Sequence, residues 1–241
     1  MEALVLQHIK IENPGYIKDL MIADGWKLKT VELDEGEKIP DNLDQFDAML
    51  CMGGPMDTWM EKKYPWLIDE KQKIKEFVIE LEKPFLGFCL GCQLLGEVVG
   101  GKVVKSNVPE IGMMDVNFSQ EAKLDNIFNS FPPLLKALQW HSYEVQSIEN
   151  IENIKILASS KNTKIQIFKY KNHAYGIQFH IEIKDTTVKE WGCVAEYKKA
   201  LESSLGKGAL KKFDIEAKKN MKKMNFYSTN LYESFKKIIK V

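Results

Sequence analysis

The chain has 241 residues, 44% of them hydrophobic, which is enough to bury the core of one α/β domain with an appendage. Lys and Arg number 34, as do Asp and Glu, so the formal net charge is zero. No global field then draws in nucleic acid or an anionic membrane surface. No apolar run nears the ~18 residues of a membrane span. The N-terminus lacks the basic start and long apolar stretch of a signal peptide. The four cysteines are too sparse for a disulfide framework. The expected setting is a reducing cytoplasm, where a free thiol persists.

In chain order, residues 3–8 read as a buried strand, and Asn13-Pro14-Gly15 opens a helix that Gly25 ends. Residues 26–33 and 47–52 read as strands, the second stopped by Gly53-Gly54-Pro55. Helical spacing over 67–81 breaks at Lys83-Pro84, before a short strand at 85–88 and a helix at 90–99. This alternation predicts a mostly parallel sheet with helices on both faces. Strands are then expected at 103–104, 113–118, 137–140, 154–158, 164–170 and 174–179, extending or flanking that sheet. Helices are expected at 187–203, 207–223 and 229–239, with Gly206 and Gly208 marking the start of an appendage. The lysines of Lys218-Lys219-Asn220-Met221-Lys222-Lys223 read as a solvated helix face.

The run Gly87-Phe88-Cys89-Leu90-Gly91-Cys92-Gln93 crosses from strand to helix at Cys89. A nucleophile there stands in a sharp elbow, and the helix N-terminus favours the attacking thiolate. A buried structural cysteine, or a redox or zinc-binding pair with Cys92, is the competing reading. Cys92 fits best as a small packed residue of the first helical turn.

A nucleophilic cysteine needs a base and a group that orients the base. His180 closes the strand 174–179, and Glu182, two residues on in an extended segment, points the same way. His141 is a second candidate, as an interior histidine or part of a substrate-binding edge. His8 and His173 read as structural or surface residues. Acyl transfer also needs donors for an oxyanion. The Leu90 N–H is one candidate, and the Gly53-Gly54 turn at a parallel strand's end offers another. No metal-ligand constellation and no cofactor motif stands out.

Together these residues resemble class I glutamine amidotransferases. That family has a Gly-x-Cys-x-Gly-x-Gln elbow, matched by Gly87, Cys89, Gly91 and Gln93. It has a Gly-Gly-Pro oxyanion loop, matched by Gly53, Gly54 and Pro55. Its Gly-x-Gln-Phe-His-Pro-Glu segment is matched by Gly176, Gln178, Phe179, His180 and Glu182. Gln7-His8, Tyr64-Pro65-Trp66-Leu67, Trp140-His141-Ser142 and Val194-x-x-Tyr197 resemble stand-alone members similar to the amidotransferase domain of GMP synthase.

The resemblance implies a flavodoxin-like α/β domain over 1–190 and a helical extension over 191–241 packed on it. It implies a catalytic triad of Cys89, His180 and Glu182, and an oxyanion hole of Gly54 and Leu90. Substrate-binding positions would be Gln93, His141, Ser142 and Tyr143. The substrate would be glutamine or another γ-glutamyl compound, cleaved through a thioester. Ile181 stands where the family has proline, a change expected to loosen base and orienter. No synthetase domain follows in this sequence, so a separate subunit would supply the acceptor of ammonia. The alternative is a stand-alone γ-glutamyl peptidase or hydrolase, and a non-enzymatic regulator on the same fold is a third reading.

Overall fold

A computed structural model describes residues 1–239, and Lys240 and Val241, the end of the predicted extension, lie outside them. In chain order the elements are β1 (Glu2–Gln7), α1 (Gly15–Ala23), β2 (Lys27–Glu32), β3 (Ala48–Cys51), α2 (Trp66–Lys75), β4 (Phe85–Phe88) and α3 (Leu90–Val98). There follow β5 (Lys102–Phe118), α4 (Gln120–Lys123), β6 (Leu134–Gln146), β7 (Ile154–Ser160), β8 (Ile167–Tyr170) and β9 (Ala174–Ile177). The chain closes with α5 (Thr187–Trp191), α6 (Ala195–Leu205) and α7 (Ala209–Ile239).

The strands form one sheet in the order β2-β1-β3-β4-β9-β8-β7-β5-β6. The β2-β1-β3-β4-β9 half is parallel. The β8, β7, β5 and β6 strands extend it with antiparallel pairings, so the whole sheet is mixed. Side chains alternate along β1. Ala3 and Val5 join a core with Ile17 and Met21 of α1, while Leu4 and Leu6 join another with Leu67 and Ile74 of α2 and Leu94 of α3. A strand covered on both faces must be apolar throughout, as β1 is from Ala3 to Leu6. Cys89, which follows β4, and the Gly53 turn after β3 both emerge at the carboxyl edge of the parallel half.

Four predicted boundaries change most. The 103–104 and 113–118 strands are one strand, β5, whose register against β6 shifts between Lys105 and Glu110. That bulge interrupts the alternation and makes one strand read as two. The β6 strand is longer than 137–140 and takes in His141, Ser142 and Tyr143. The helices expected at 207–223 and 229–239 are one 31-residue helix, α7. No Gly or Pro lies between them. Phe213, Ala217, Met221, Met224, Ser228, Leu231 and Phe235 keep one buried stripe at steps of three and four. The 187–203 helix divides instead, with α5 ending at Trp191 and α6 beginning at Ala195.

The α7 stripe belongs to the same apolar cluster as Ala3, Val5, Ile17 and Met21. At its far end the Tyr232 hydroxyl donates to Asp24 at 2.7 Å, and Lys236 reaches the same carboxylate at 2.5 Å.

Candidate active site

Cys89 sits at φ 50° and ψ −102°, a conformation costly for a residue with a side chain, on the order of 1–3 kcal/mol. Its N–H donates to the Ile177 carbonyl at 2.9 Å, which joins the elbow to β9. Close approach explains the neighbouring glycines. A Cβ on Gly87 would lie 2.4 Å from the Gly91 carbonyl oxygen, and one on Gly91 would lie 2.1 Å from the Cys51 carbonyl oxygen. Leu90 begins α3, so its N–H has no intrahelical acceptor. Cys89 is 8% exposed, so a reactant reaches it through a cavity rather than across open surface.

His180 is buried beside it. Its backbone pairs with Leu138 of β6, N–H to O at 2.8 Å and O to N–H at 3.2 Å. Its Nδ1 lies 2.6 Å from Glu182 Oε1, and Cys89 is the ring's other interacting side chain. Burial opposes the imidazolium, but the Glu182 carboxylate and Cys89 outweigh burial and hold the His180 pKa well above its ordinary value. Trp191 of α5 packs edge-on to the ring with centroids 4.6 Å apart.

Ile181 does not loosen this arrangement. Its N–H donates to Glu182 Oε2 at 2.9 Å, a bond that proline could not make. Its carbonyl accepts from Ser228 Oγ at 2.9 Å, so α7 is tied to the segment between His180 and Glu182.

A cavity of about 140 Å³ opens over Cys89. Gly54, Leu90, Gln93, His141, Ser142 and Tyr143 all line it. Gln93 Nε2 is committed within the wall, donating to the Tyr143 carbonyl and to Gln178 Oε1, each at 3.1 Å. His141 Nδ1 lies 2.9 Å from the Tyr143 carbonyl, and its Nε2 lies 3.5 Å from Glu110. His141 thus shapes the β6 wall and is not placed on the sulfur. Cys92 is fully buried, and its sulfur packs where a side chain on Gly176 would go. Burial pushes its thiol up, with the neighbouring Cys89 adding to that.

Sequence reasoning missed a second carboxyl group. Glu12 is buried close to His180 and Glu182 and accepts from the Tyr197 hydroxyl at 2.5 Å. Burial pushes Glu12 up to about 7, with His180 and Tyr197 pulling the other way. Tyr197 comes from α6, which supplies one wall of the cavity through Glu196, Tyr197 and Ala200. A lone acid outside any motif gives no sequence signal. The Val194-x-x-Tyr197 pattern pointed to α6 but not to its place over Cys89.

Known proteins share this fold. Residues 16–191 match the family described as glutamine amidotransferase class-I, and the chain belongs to that family. The glutamine-hydrolysing GMP synthase subunit of Sulfolobus acidocaldarius is 36% identical over 151 residues, covering 62% of this chain and 74% of that one. A glutamine amidotransferase of known structure from Thermotoga maritima is 29% identical and covers 100% of this chain and 99% of its own, with a TM-score of 0.86. One from Methylobacillus flagellatus shares the fold at 20% identity and a TM-score of 0.84, covering 98% of this chain and 94% of its own. No helix among the described residues is long and apolar enough to cross a membrane.

Proposed function

We propose that the chain hydrolyses a γ-glutamyl amide, with glutamine as first substrate, through a thioester on Cys89. The observation that carries this reading is the His180 ring, held by Glu182 at 2.6 Å, interacting with a Cys89 that lines a cavity. The Cys89 thiolate attacks the side-chain amide carbon, and the N–H groups of Leu90 and Gly54 receive the oxyanion. The His180 imidazolium gives its proton to the departing nitrogen, and ammonia leaves. Neutral His180 then takes a proton from water, whose oxygen displaces sulfur to give glutamate. The proton returns to Cys89 through His180, and Glu182 holds the ring in one tautomer throughout. The Gln93, His141, Ser142 and Tyr143 wall would orient the α-amino and α-carboxylate groups.

In an amidotransferase the ammonia passes to a separate synthetase subunit, and the relatives named as GMP synthase subunits support that role. A second reading, a self-sufficient γ-glutamyl hydrolase, draws on α6, which closes the cavity with residues of the chain itself. A screen of glutamine and γ-glutamyl peptides against wild type and Cys89→Ala separates them, with glutamate and ammonia measured independently. Both products from glutamine support the amidotransferase. Glutamate without ammonia supports the hydrolase. Release that persists in Cys89→Ala counts against both.

A further inference from the structure

A fully buried histidine outside the triad is joined to the proposed oxyanion loop. His8 lies just past β1, and its two ring nitrogens face two acceptors. Its Nδ1 is 2.9 Å from the Gly53 carbonyl oxygen and its Nε2 is 2.9 Å from Glu70 Oε1. A carbonyl only accepts, so Nδ1 carries a hydrogen. An ionised carboxylate also only accepts, so His8 and Glu70 share one proton more than a neutral imidazole brings. Burial opposes that charge, but Glu70 and the Gly53 carbonyl raise the His8 pKa above its ordinary value. The Cys51 thiol donates to the same Glu70 oxygen at 3.4 Å, and the Trp66 ring lies 5.6 Å from the imidazole.

We propose that His8 is a positioning residue for the oxyanion loop, holding the Gly53 carbonyl and thereby fixing the direction of the Gly54 N–H. This rests on the reading of Gly54 as an oxyanion donor. The Gly53 carbonyl and the Gly54 N–H belong to one planar trans peptide and point in opposite directions. Gripping one end sets the other. The peptide between two glycines has no side chain to hold it, so it is the loop's easiest unit to rotate. His8 also abuts it, since a Cβ on Gly54 would lie 2.9 Å from the His8 Cβ. On the other side Glu12 Oε2 lies 2.7 Å from where a Gly53 Cβ would be. A donor on the carbonyl polarises the peptide and strengthens its N–H as a donor in turn.

Two isosteres separate the two ring nitrogens. His8→Asn keeps a donor near the Nδ1 position, facing Gly53, and His8→Gln keeps one near Nε2, facing Glu70. Turnover of glutamine or γ-glutamyl-p-nitroanilide is measured for both, with iodoacetamide alkylation of Cys89 as the active-site count. His8→Gln is expected to lower kcat about tenfold or more at nearly constant KM, and His8→Asn by about threefold or less. Alkylation makes no oxyanion, so its rate should stay within about threefold in both. In nitrogen-15 spectra the Gly54 amide should broaden or double in His8→Gln and stay single in His8→Asn. Equal kcat losses in the two variants, a loss confined to KM, alkylation that falls in parallel, or an unchanged Gly54 resonance in His8→Gln would each overturn the assignment. If wild type hydrolyses neither substrate, the proposed function fails by itself, and the Gly54 resonance still decides the role of His8.

Discussion

The two halves of the site are held in different ways. The nucleophile side is built locally: Gly87, Cys89 and Gly91 lie within five residues, and backbone contacts 2.1–2.4 Å from any added Cβ forbid larger neighbours. The base side is built from afar. His180 is paired to β6, flanked by Trp191, and tied through Ile181 to Ser228, 47 positions on. Backbone geometry therefore guards the elbow, while tertiary packing guards the base. Damage to the elbow's glycines should cost folding as well as turnover. Damage at the base side should cost turnover first.

The sharpest break in this comparison comes from Cys89→Ala, which should lower glutamate release by roughly 10⁴-fold or more. Fold and melting temperature should hardly change, since only the sulfur is lost. Gly91→Ala should come next and act on stability. Its Cβ would overlap the Cys51 carbonyl, and denaturant unfolding should show a loss of about 3 kcal/mol or more. A loss below about 1 kcal/mol would mean that the elbow yields easily, and the contrast would fail.

On the base side, Ser228→Ala leaves the Ile181 carbonyl without its α7 donor and should cost about 1 kcal/mol of stability. Its kcat should fall severalfold while KM holds. Ile181→Pro removes the N–H bond to Glu182 and should lower kcat by a similar factor, measured by steady-state kinetics. Wild-type activity in both variants would show that the triad does not depend on these ties.

A last effect concerns pH. Glu12 is held up to about 7 against an ordinary value of 4.5, chiefly by burial. Folded Glu12 keeps its proton where unfolded Glu12 has lost it, so stability falls as pH rises from 4.5 to about 7. Glu12→Gln should flatten that slope and gain on the order of 2 kcal/mol above neutral pH. Unfolding curves at several pH values measure it.

The same contrast explains what the sequence revealed. The elbow, His180 and Glu182 were legible because short spacing fixes which backbone carries them and which way they point. The cavity residues were legible through the resemblance. Glu12, Glu70 and the roles of His8 and Tyr197 were not, because each depends on which segments meet in three dimensions. Ile181 misled for a related reason: its N–H bond to Glu182 depends on a side-chain conformation that spacing does not encode. The β5 bulge and the unbroken α7 were misread because local pattern reports an interruption without saying whether the element continues beyond it.

The most direct test is mass spectrometry after treatment with a glutamine-like electrophile, on wild type, His180→Asn and Cys193→Ser. Cys193 is the exposed free thiol and serves as the internal control. A single adduct on Cys89, formed much more slowly in His180→Asn and unchanged in Cys193→Ser, is the predicted result. Labelling that favours Cys193, or labelling of Cys89 that proceeds equally well without the imidazole, would contradict a sulfur activated by His180.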